Sequence, residues 1–532
     1  MQASYHSSAA PTGDCVVYMR DTGICKQSIR GRAPATVNTG AGFHHTKVTS
    51  LKWSEDGTHI AIVSERGVKI VELEPLLDIA RLDNGSGGLG KIAFAEFVGN
   101  DHLLAIWEFG KTKLWHIHSG KAVDLPDVKT TCDGRAWQTR PGSAKGGPRL
   151  FAMLSRMAAD DHLAINFSTS SQALPLVKLP THDAHSISWS PDGRWLAVLD
   201  VPTASQGLHI YTPDGHLFRS CPSQNDNEHG LGIKDVTWSS DGRLLALAKF
   251  DGRVELLNTT TFTPLAVIEH STTIDQRLLA SEQQARIWQQ TVSAANVRSY
   301  AEPSQPVSPP LSRLKQTSEP SELGIAELSF SCDGRYLASR DCRMLNTVWI
   351  WEASSLAAHS VLIQHSNIRK LHWHPSSRDT LMVDCAEGIA YVFDASSSHA
   401  PQMFQTEARP RATLSWVKTA TGAKPIIMAT EKTAFHFIYP EGRDAGYEQS
   451  RNGSSMQGAA FDEGESEDSL FDVLSGRKPL PPKTNPSYTE MVDLDMEAED
   501  TIDGGLEDTF REKRRAIETQ QEVDPLDDSE FF

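Results

Sequence analysis

The chain has 532 residues, 39% hydrophobic and 22% charged, with 68 acidic against 51 basic side chains and a formal charge of −17. That length suffices for one large closed core or for two or three average domains. The acidic balance disfavours a general nucleic-acid binder, which needs a basic footprint, and no run of 18 apolar residues offers a membrane-spanning helix.

The opening MQASYHSSAAPTGD has no basic region followed by an apolar one, so no secretory signal is expected there. Seven scattered Cys without a C-x-x-C pair predict a reducing, intracellular setting. The first strand-like fragment, Cys15 to Gly23, reads as the third strand of a blade whose first two strands are missing. From there an aromatic residue followed by an Asp- or Gly-containing turn recurs. The clear copies begin at Trp53, Trp189, Trp238 and Phe330, and weaker ones at Phe94, Trp137, Trp373 and Trp416. Their spacing is about 41 to 52 residues, roughly doubled once, which suits four-stranded propeller blades.

The copy from Gly232 to Asn258 shows the grammar best. Ile233, Val236 and Trp238 lead into Ser239-Ser-Asp-Gly242, an apolar run follows, and Asp251-Gly252 turns the chain into Val254-Glu-Leu-Leu. Short runs split by Asp-Gly are hairpin chemistry, because Gly supplies positive φ and Asp bonds its own backbone. One blade cannot cover both its faces, so copies must stack, and a ring leaves only short edges. The expected fold is therefore all-β, a propeller of seven to nine degenerate blades over residues 1–442, with a late strand available to complete the broken first blade. The recurring positions Trp53, Trp189, Trp238, Phe330, Trp373 and Trp416 are expected between blades, and Asp251 and Gly252 in a structural turn.

Two stretches stand apart. Residues 281–322 contain EPSQPVSPPLSRLKQTSEPSE and read as a solvated excursion without strand or helix. Residues 443–532 hold 24 acidic and 9 basic residues, leaving 44 and 42 before them; with few aromatics, this tail is expected to be disordered.

Several patterns invite chemical readings. Gly85-Ser-Gly87-Gly-Leu-Gly90-Lys91 mimics a phosphate loop, but Ile92 stands where Ser or Thr should hold Mg²⁺, and a strand follows in place of a helix. It reads as a loop. His116 with His118 and His372 with His374 each share a strand face, yet lack an acidic or Cys partner at ligand spacing, so structural roles are preferred to metal. No nucleophile motif is present, and no catalytic residue, metal or cofactor is nominated. Partner contacts should come from loops. The link Arg340-Asp-Cys-Arg-Met-Leu-Asn346 is longer than its counterparts, which makes Arg340, Asp341, Arg343 and Asn346 candidate contacts. In the tail, Leu506, Phe510 and Ile517 share one helical stripe beside the basic cluster Arg511 to Arg515, a candidate segment for a partner groove.

The grammar resembles the WD40 repeat, with the terminal Trp-Asp worn down to LWHIHSG, IWEASSL and VFDASS. More narrowly, the order of repeats and the place of the insertion resemble the family of WD repeat-containing protein eight. The match is carried by LGIKDVTW from Leu231, FDGRVELLN from Phe250 and the run from Ile268 to Asp275. Beyond the insertion it continues in LGIA from Leu323, LASR from Leu337, LNTVWIW from Leu345 and the Trp373 repeat. It covers roughly residues 15 to 440 and is absent from the tail. The resemblance implies a non-catalytic scaffold of the cytoskeleton at centrosomes or spindle pole bodies during mitosis. It implies protein partners: a coiled-coil microtubule-anchoring protein and, through it, a minus-end-directed kinesin-14 that anchors microtubule minus ends. The alternative is a substrate receptor of a cullin-type ubiquitin ligase, for which the nearest W-D-x-R, in IWEASS, lacks both Asp and Arg.

Overall fold

The computed structural model describes residues 6–20, 23–29, 35–37, 48–74, 76–83, 90–129, 135–142, 149–169, 175–222, 232–277, 279, 285–312, 322–419, 423–431 and 434–442. Within them, 37 strands form nine sheets. Each sheet is built mainly from consecutive antiparallel strands, and the nine follow one another as propeller blades: blade 1 over residues 7–37, blade 2 over 48–83, blade 3 over 92–125, blade 4 over 137–178, blade 5 over 186–222, blade 6 over 233–268, blade 7 over 286–363, blade 8 over 370–405 and blade 9 over 413–438. Blade 5 is typical. Its inner strand Ser186–Trp189 is followed outward by Leu196–Leu199, Gln206–Tyr211 and Leu217–Pro222. The second strand is buried along its whole length, whereas the fourth is mostly exposed. That gradient explains the sequence texture: a strand covered on both faces reads as an unbroken apolar run, and the rim strand does not.

The turn after each inner strand repeats at atomic level. In Ser190-Pro-Asp-Gly193, Ser190 Oγ donates to Asp192 (2.6 Å) and accepts from the Trp195 N–H (3.0 Å). Asp192 accepts from the Arg194 N–H, and Gly193 sits at φ +67°. The same set recurs at Ser54-Asp56, Ser239-Asp241 and Ser331-Asp333. All four serines are fully buried, so the turn chemistry is part of the core. In blade 8, His374 replaces the serine, and its Nδ1 accepts from the Ser377 N–H (2.8 Å).

The spaced tryptophans sit between blades, as the repeat grammar requires. Trp53 Nε1 donates to Ser8 Oγ, Trp189 Nε1 to Gln138 O, Trp373 Nε1 to Ser329 O, and Trp416 Nε1 to His372 O. Every acceptor lies on or beside the inner strand of the preceding blade, so these indoles stitch neighbours around the centre. Trp238 and Phe330, each 8% exposed, occupy the same position through packing.

The ring closes. Apolar clusters occupy every junction between successive blades, including the one between the last and the first. There Val16 and Ile29 of blade 1 pack on Val417, Ile426 and Met428 of blade 9, and Tyr18 meets Phe435 at 5.3 Å between ring centroids.

Two sequence expectations are corrected. The fragment at Cys15 is the second strand of a complete first blade, formed by Ser7–Ala9, Cys15–Arg20, Gly23–Ser28 and Ala35–Val37. Its inner strand is three residues long and has no aromatic, so it carries no repeat signal. No late strand joins it among the described residues. Among the described residues it is blade 9 that has three strands, Thr413–Val417, Ile426–Thr430 and Phe435–Ile438. The excursion is not strandless either. Arg286–Val292 and Arg298–Ala301 form a hairpin whose first strand pairs in parallel with Ala358–Ile363, making blade 7 six-stranded. Pro and Ser concentrate after the hairpin, and the average over the stretch hid it. The acidic tail lies outside the described residues.

Candidate functional site

Blade 7 is where this ring departs most from a plain repeat. Its inner four strands are Ile325–Phe330, Tyr336–Asp341, Thr347–Glu352 and Ala358–Ile363. His270, on the path from blade 6, joins the two blades. Its Nε2 meets Ser339 Oγ at 2.7 Å, and Trp351 Nε1 donates to the same oxygen at 2.8 Å. With Ser339 accepting from the indole, its hydroxyl proton is directed at His270 Nε2. The imidazole proton then sits on Nδ1, facing Gly252 O at 3.1 Å. Burial pushes the His270 pKa down to about 4, so the ring is neutral at physiological pH.

The predicted link beside this relay is shorter than the sequence suggests and is folded inward: Arg340 and Asp341 end the strand Tyr336–Asp341, and the remaining residues 342–346 are no longer a stretch than residues 200–205 of blade 5. Asp341 is fully buried and Arg340 and Asn346 nearly so. Arg340 Nε lies 3.9 Å from Glu327 Oε2, and Asn346 Nδ2 donates to Gln364 O. Arg343 holds Asp341 through Nε (2.8 Å) and Nη2 (2.6 Å), and its side chain remains 41% exposed. Of the four candidates, Arg343 is thus the one that offers its side chain to solvent. A Cβ on Gly252 would stand 3.1 Å from Asp341 Oδ2, so the Asp251-Gly252 turn and the predicted link meet at the junction of blades 6 and 7. Leu506, Phe510 and Ile517 lie outside the described residues.

The insertion frames this junction. Arg298 grips Glu387 of blade 8 with two bonds of 2.9 and 3.0 Å and reaches Tyr391 Oη at 3.1 Å. Tyr300 Oη donates to Gln364, and Trp288 and Tyr300 pack against the core between blades 7 and 8. Farther along, Ile274 and Val307 exchange backbone bonds, and the Ser312 N–H donates to Arg343 O. The end of the ring that carries the turns between second and third strands therefore presents Arg343 together with Leu311, 55% exposed. On that same end blade 3 offers Phe109, 77% exposed, and blade 4 offers Met157, 50% exposed. Apolar residues exposed singly are ordinary on a protein surface, and these three are distinguished by standing at one end of the ring on turns whose position the blades fix. Nothing in the repeat grammar signals Phe109, which follows an ordinary apolar strand.

Of the remaining candidates, Lys91 and His116 have structural partners, whereas His372 Nε2 is buried without one. Lys91, from the loop resembling a phosphate site, pairs with Glu65 at 3.2 Å. His116 Nδ1 accepts from the Ser119 N–H. Among the described residues no three His, Cys, Asp or Glu side chains are grouped to hold a metal.

No protein-family model matches the chain. It is 28% identical over 289 residues to an uncharacterized WD repeat-containing protein of Schizosaccharomyces pombe, covering 53% of this chain and 55% of that one. It is 28% identical over 350 residues to the mouse WD repeat-containing protein WRAP73, covering 62% and 72%. With minichromosome loss protein 1 of S. pombe it shares 25% identity over 233 residues, 43% of this chain and 26% of that one. The chain thus spans about half the length of the first of these relatives. Solved structures of similar fold include Sqt1 of Saccharomyces cerevisiae, with 12% identity, 75% of this chain and 97% of that one covered, and a TM-score of 0.47. Another is the C-terminal WD40 domain of Sif2, with 13% identity, 72% and 93% covered, and a TM-score of 0.42.

Proposed function

We propose that this WD40-type propeller is a non-catalytic scaffold that holds protein partners in fixed register at the spindle pole. The observation that carries the reading is the closed ring itself. Nine blades brace one another through buried indoles and serine turns, so the exposed side chains on one end, Phe109, Met157, Leu311 and Arg343, are preset contacts. Binding by a rigid surface loses little conformational entropy, and two separated contact groups allow two partners to be tethered at once. The resemblance to the family of WD repeat-containing protein eight supports placing it at microtubule-organising centres, with a coiled-coil anchoring protein and a kinesin-14 as partners. One relative is itself named for minichromosome loss.

The test is localisation and co-purification from dividing cells. A tagged chain should concentrate at the poles and retain a coiled-coil protein, and Phe109→Ala with Met157→Ala, both at exposed side chains, should weaken that retention. An even distribution through mitotic cells, with no coiled-coil protein retained, contradicts the proposal.

A further inference from the structure

The fourth strands of the blades form the circumference of the ring, and those of blades 5 and 6 differ from the rest. Leu217 and Phe218 on the strand Leu217–Pro222, and Leu265 and Val267 on Pro264–Ile268, are each about half exposed. Among the described residues no other fourth strand exposes more than one large apolar side chain. The two strands are tied together where they begin. Arg219 Nη1 donates to Thr261 O at 2.8 Å, across the gap between the blades. The Phe218 ring meets Trp195 at 4.6 Å and Phe262 at 5.9 Å, so the aromatic core of this junction continues to the surface. Singly exposed apolar residues are ordinary, but a group carried by two adjacent rigid strands marks an interaction surface.

We infer that this stretch of the rim docks an amphipathic helix of a protein partner. The main chain argues against an added strand. Both rim strands are bulged, one ends on Pro222 and the other begins on Pro264, so their outer edges offer few donors and acceptors in register. What they present is side chains, and a helix meets these with an apolar stripe at i, i+3, i+4 and i+7. Charge narrows the class further. Glu255 is held by Lys249 at 2.5 Å, Glu269 by Arg253 at 3.0 Å, and Asp214 lies beside His216 at 3.4 Å. Arg219 is exposed and has no carboxylate partner among the described residues, so the helix it suits carries Asp or Glu at the border of its stripe. A second copy of this chain fits poorly, because a two-fold pairing would set the patch against itself and bring one Arg219 toward the other.

The inference rests on the reading of the ring as a protein scaffold and deepens it, since it names a side wall apart from the end that carries Phe109 and Met157. Its test is separable from localisation. A display library of helical peptides, with the apolar stripe and its borders randomised, is panned on the purified full chain. Selected peptides are titrated against the wild type, the double variant Leu265→Gln with Val267→Thr, and Arg219→Glu. The expected peptides carry an acidic residue beside the stripe, bind the double variant on the order of tenfold more weakly, and lose binding when Pro is placed at their centre. The double variant changes exposed side chains only and should keep the wild-type melting temperature, which separates a lost contact from a lost fold. Arg219→Glu should weaken the acidic peptides, and exchanging the peptide's acid for Lys should restore them. Failure to select a peptide, indifference to the double variant or a fall in its melting temperature, binding that survives the central Pro, absence of the charge-swap rescue, or a wild-type dimer that the double variant dissociates would each overturn the inference. Such a failure leaves a pole-localised scaffold intact, whereas loss of pole localisation leaves this surface intact.

Discussion

The clamp between the insertion hairpin and blade 8 sets a quantitative test. Arg298 and Glu387 are 18% and 19% exposed at the side chain and joined by two charge-assisted bonds. Burial alone would raise the Glu387 pKa, but bonds from Ser366, Tyr391 and Arg298 hold it below the ordinary carboxylate range. Truncation to Arg298→Ala leaves a half-buried carboxylate with two of its donors, Ser366 and Tyr391, still present. Breaking one side of a well-shielded pair costs about 3–5 kcal/mol, and the surviving donors and partial exposure bring the expected loss to about 2 kcal/mol. The assay is a double-mutant cycle with Arg298→Ala, Glu387→Gln and both, read by urea denaturation at pH 7. A coupling energy of about 1.5 kcal/mol or more is expected, together with faster backbone amide exchange in residues 286–301 of the Arg298 variant. Because the folded-state pKa of Glu387 is depressed, this stabilisation is present above the carboxylate's ordinary pKa. It fades as pH falls through the lowered value. A coupling below about 0.5 kcal/mol would mean the hairpin is a loose appendage, and the reasoning would be refuted.

Other consequences are as direct. Ser239→Ala removes a buried hydroxyl that donates to Asp241 and accepts from the Leu244 N–H, and should cost about 2 kcal/mol, matched by Ser190→Ala and Ser331→Ala. Unrelated losses among the three would deny that the turns are one repeated device. Gly13→Ala should be far more damaging than Gly120→Ala in thermal melts. Both glycines have positive φ, but a Cβ on Gly13 would stand 1.7 Å from Lys418 O, whereas nothing lies within 4 Å of one on Gly120. Equal losses would place the contact between first and last blades elsewhere. His270 is buried neutral, with a folded pKa of about 4 against 6.5. Below pH 6.5 the unfolded chain binds the proton and the folded ring does not, so stability falls as pH drops. From this group the loss reaches about 3 kcal/mol by pH 4. His270→Asn should flatten that slope in urea titrations between pH 7 and 4, and an unchanged slope would contradict it.

The legible part of the fold was whatever the ring repeats. Trp189, Ser190 and Gly193 recur because each blade needs an indole for its neighbour and a buried serine to close its turn, so spacing alone predicts a propeller. Where a blade meets the same need with other residues, the signal vanishes. Blade 1 has Ala9 and Ala10 where others have an aromatic and a serine, and His374 does serine's work in blade 8. The hairpin at Arg286 was obscured because the Pro and Ser that follow it dominate the stretch and its turn, with Asn296 at φ +59°, has no Gly or Pro, while its parallel pairing with Ala358–Ile363 is a tertiary event. Site residues were less legible. Loop length was a poor guide, since Arg340 and Asp341 end a strand and the loop that holds Arg343 is of ordinary length; Arg340, Asp341 and Asn346 turn inward because burial depends on the neighbouring blade.

Ring closure is tested most directly by linking its ends. Tyr18→Cys and Phe435→Cys, which replace two rings whose centroids lie 5.3 Å apart, should be joined within one chain by a bis-maleimide long enough to span the space of both rings, and the product should run as a compact monomer. The linked chain should keep the circular-dichroism spectrum and melt at a higher temperature than either single variant. Thiols that stay unlinked under native conditions, or that link only between two chains, would show that the first and last blades do not meet.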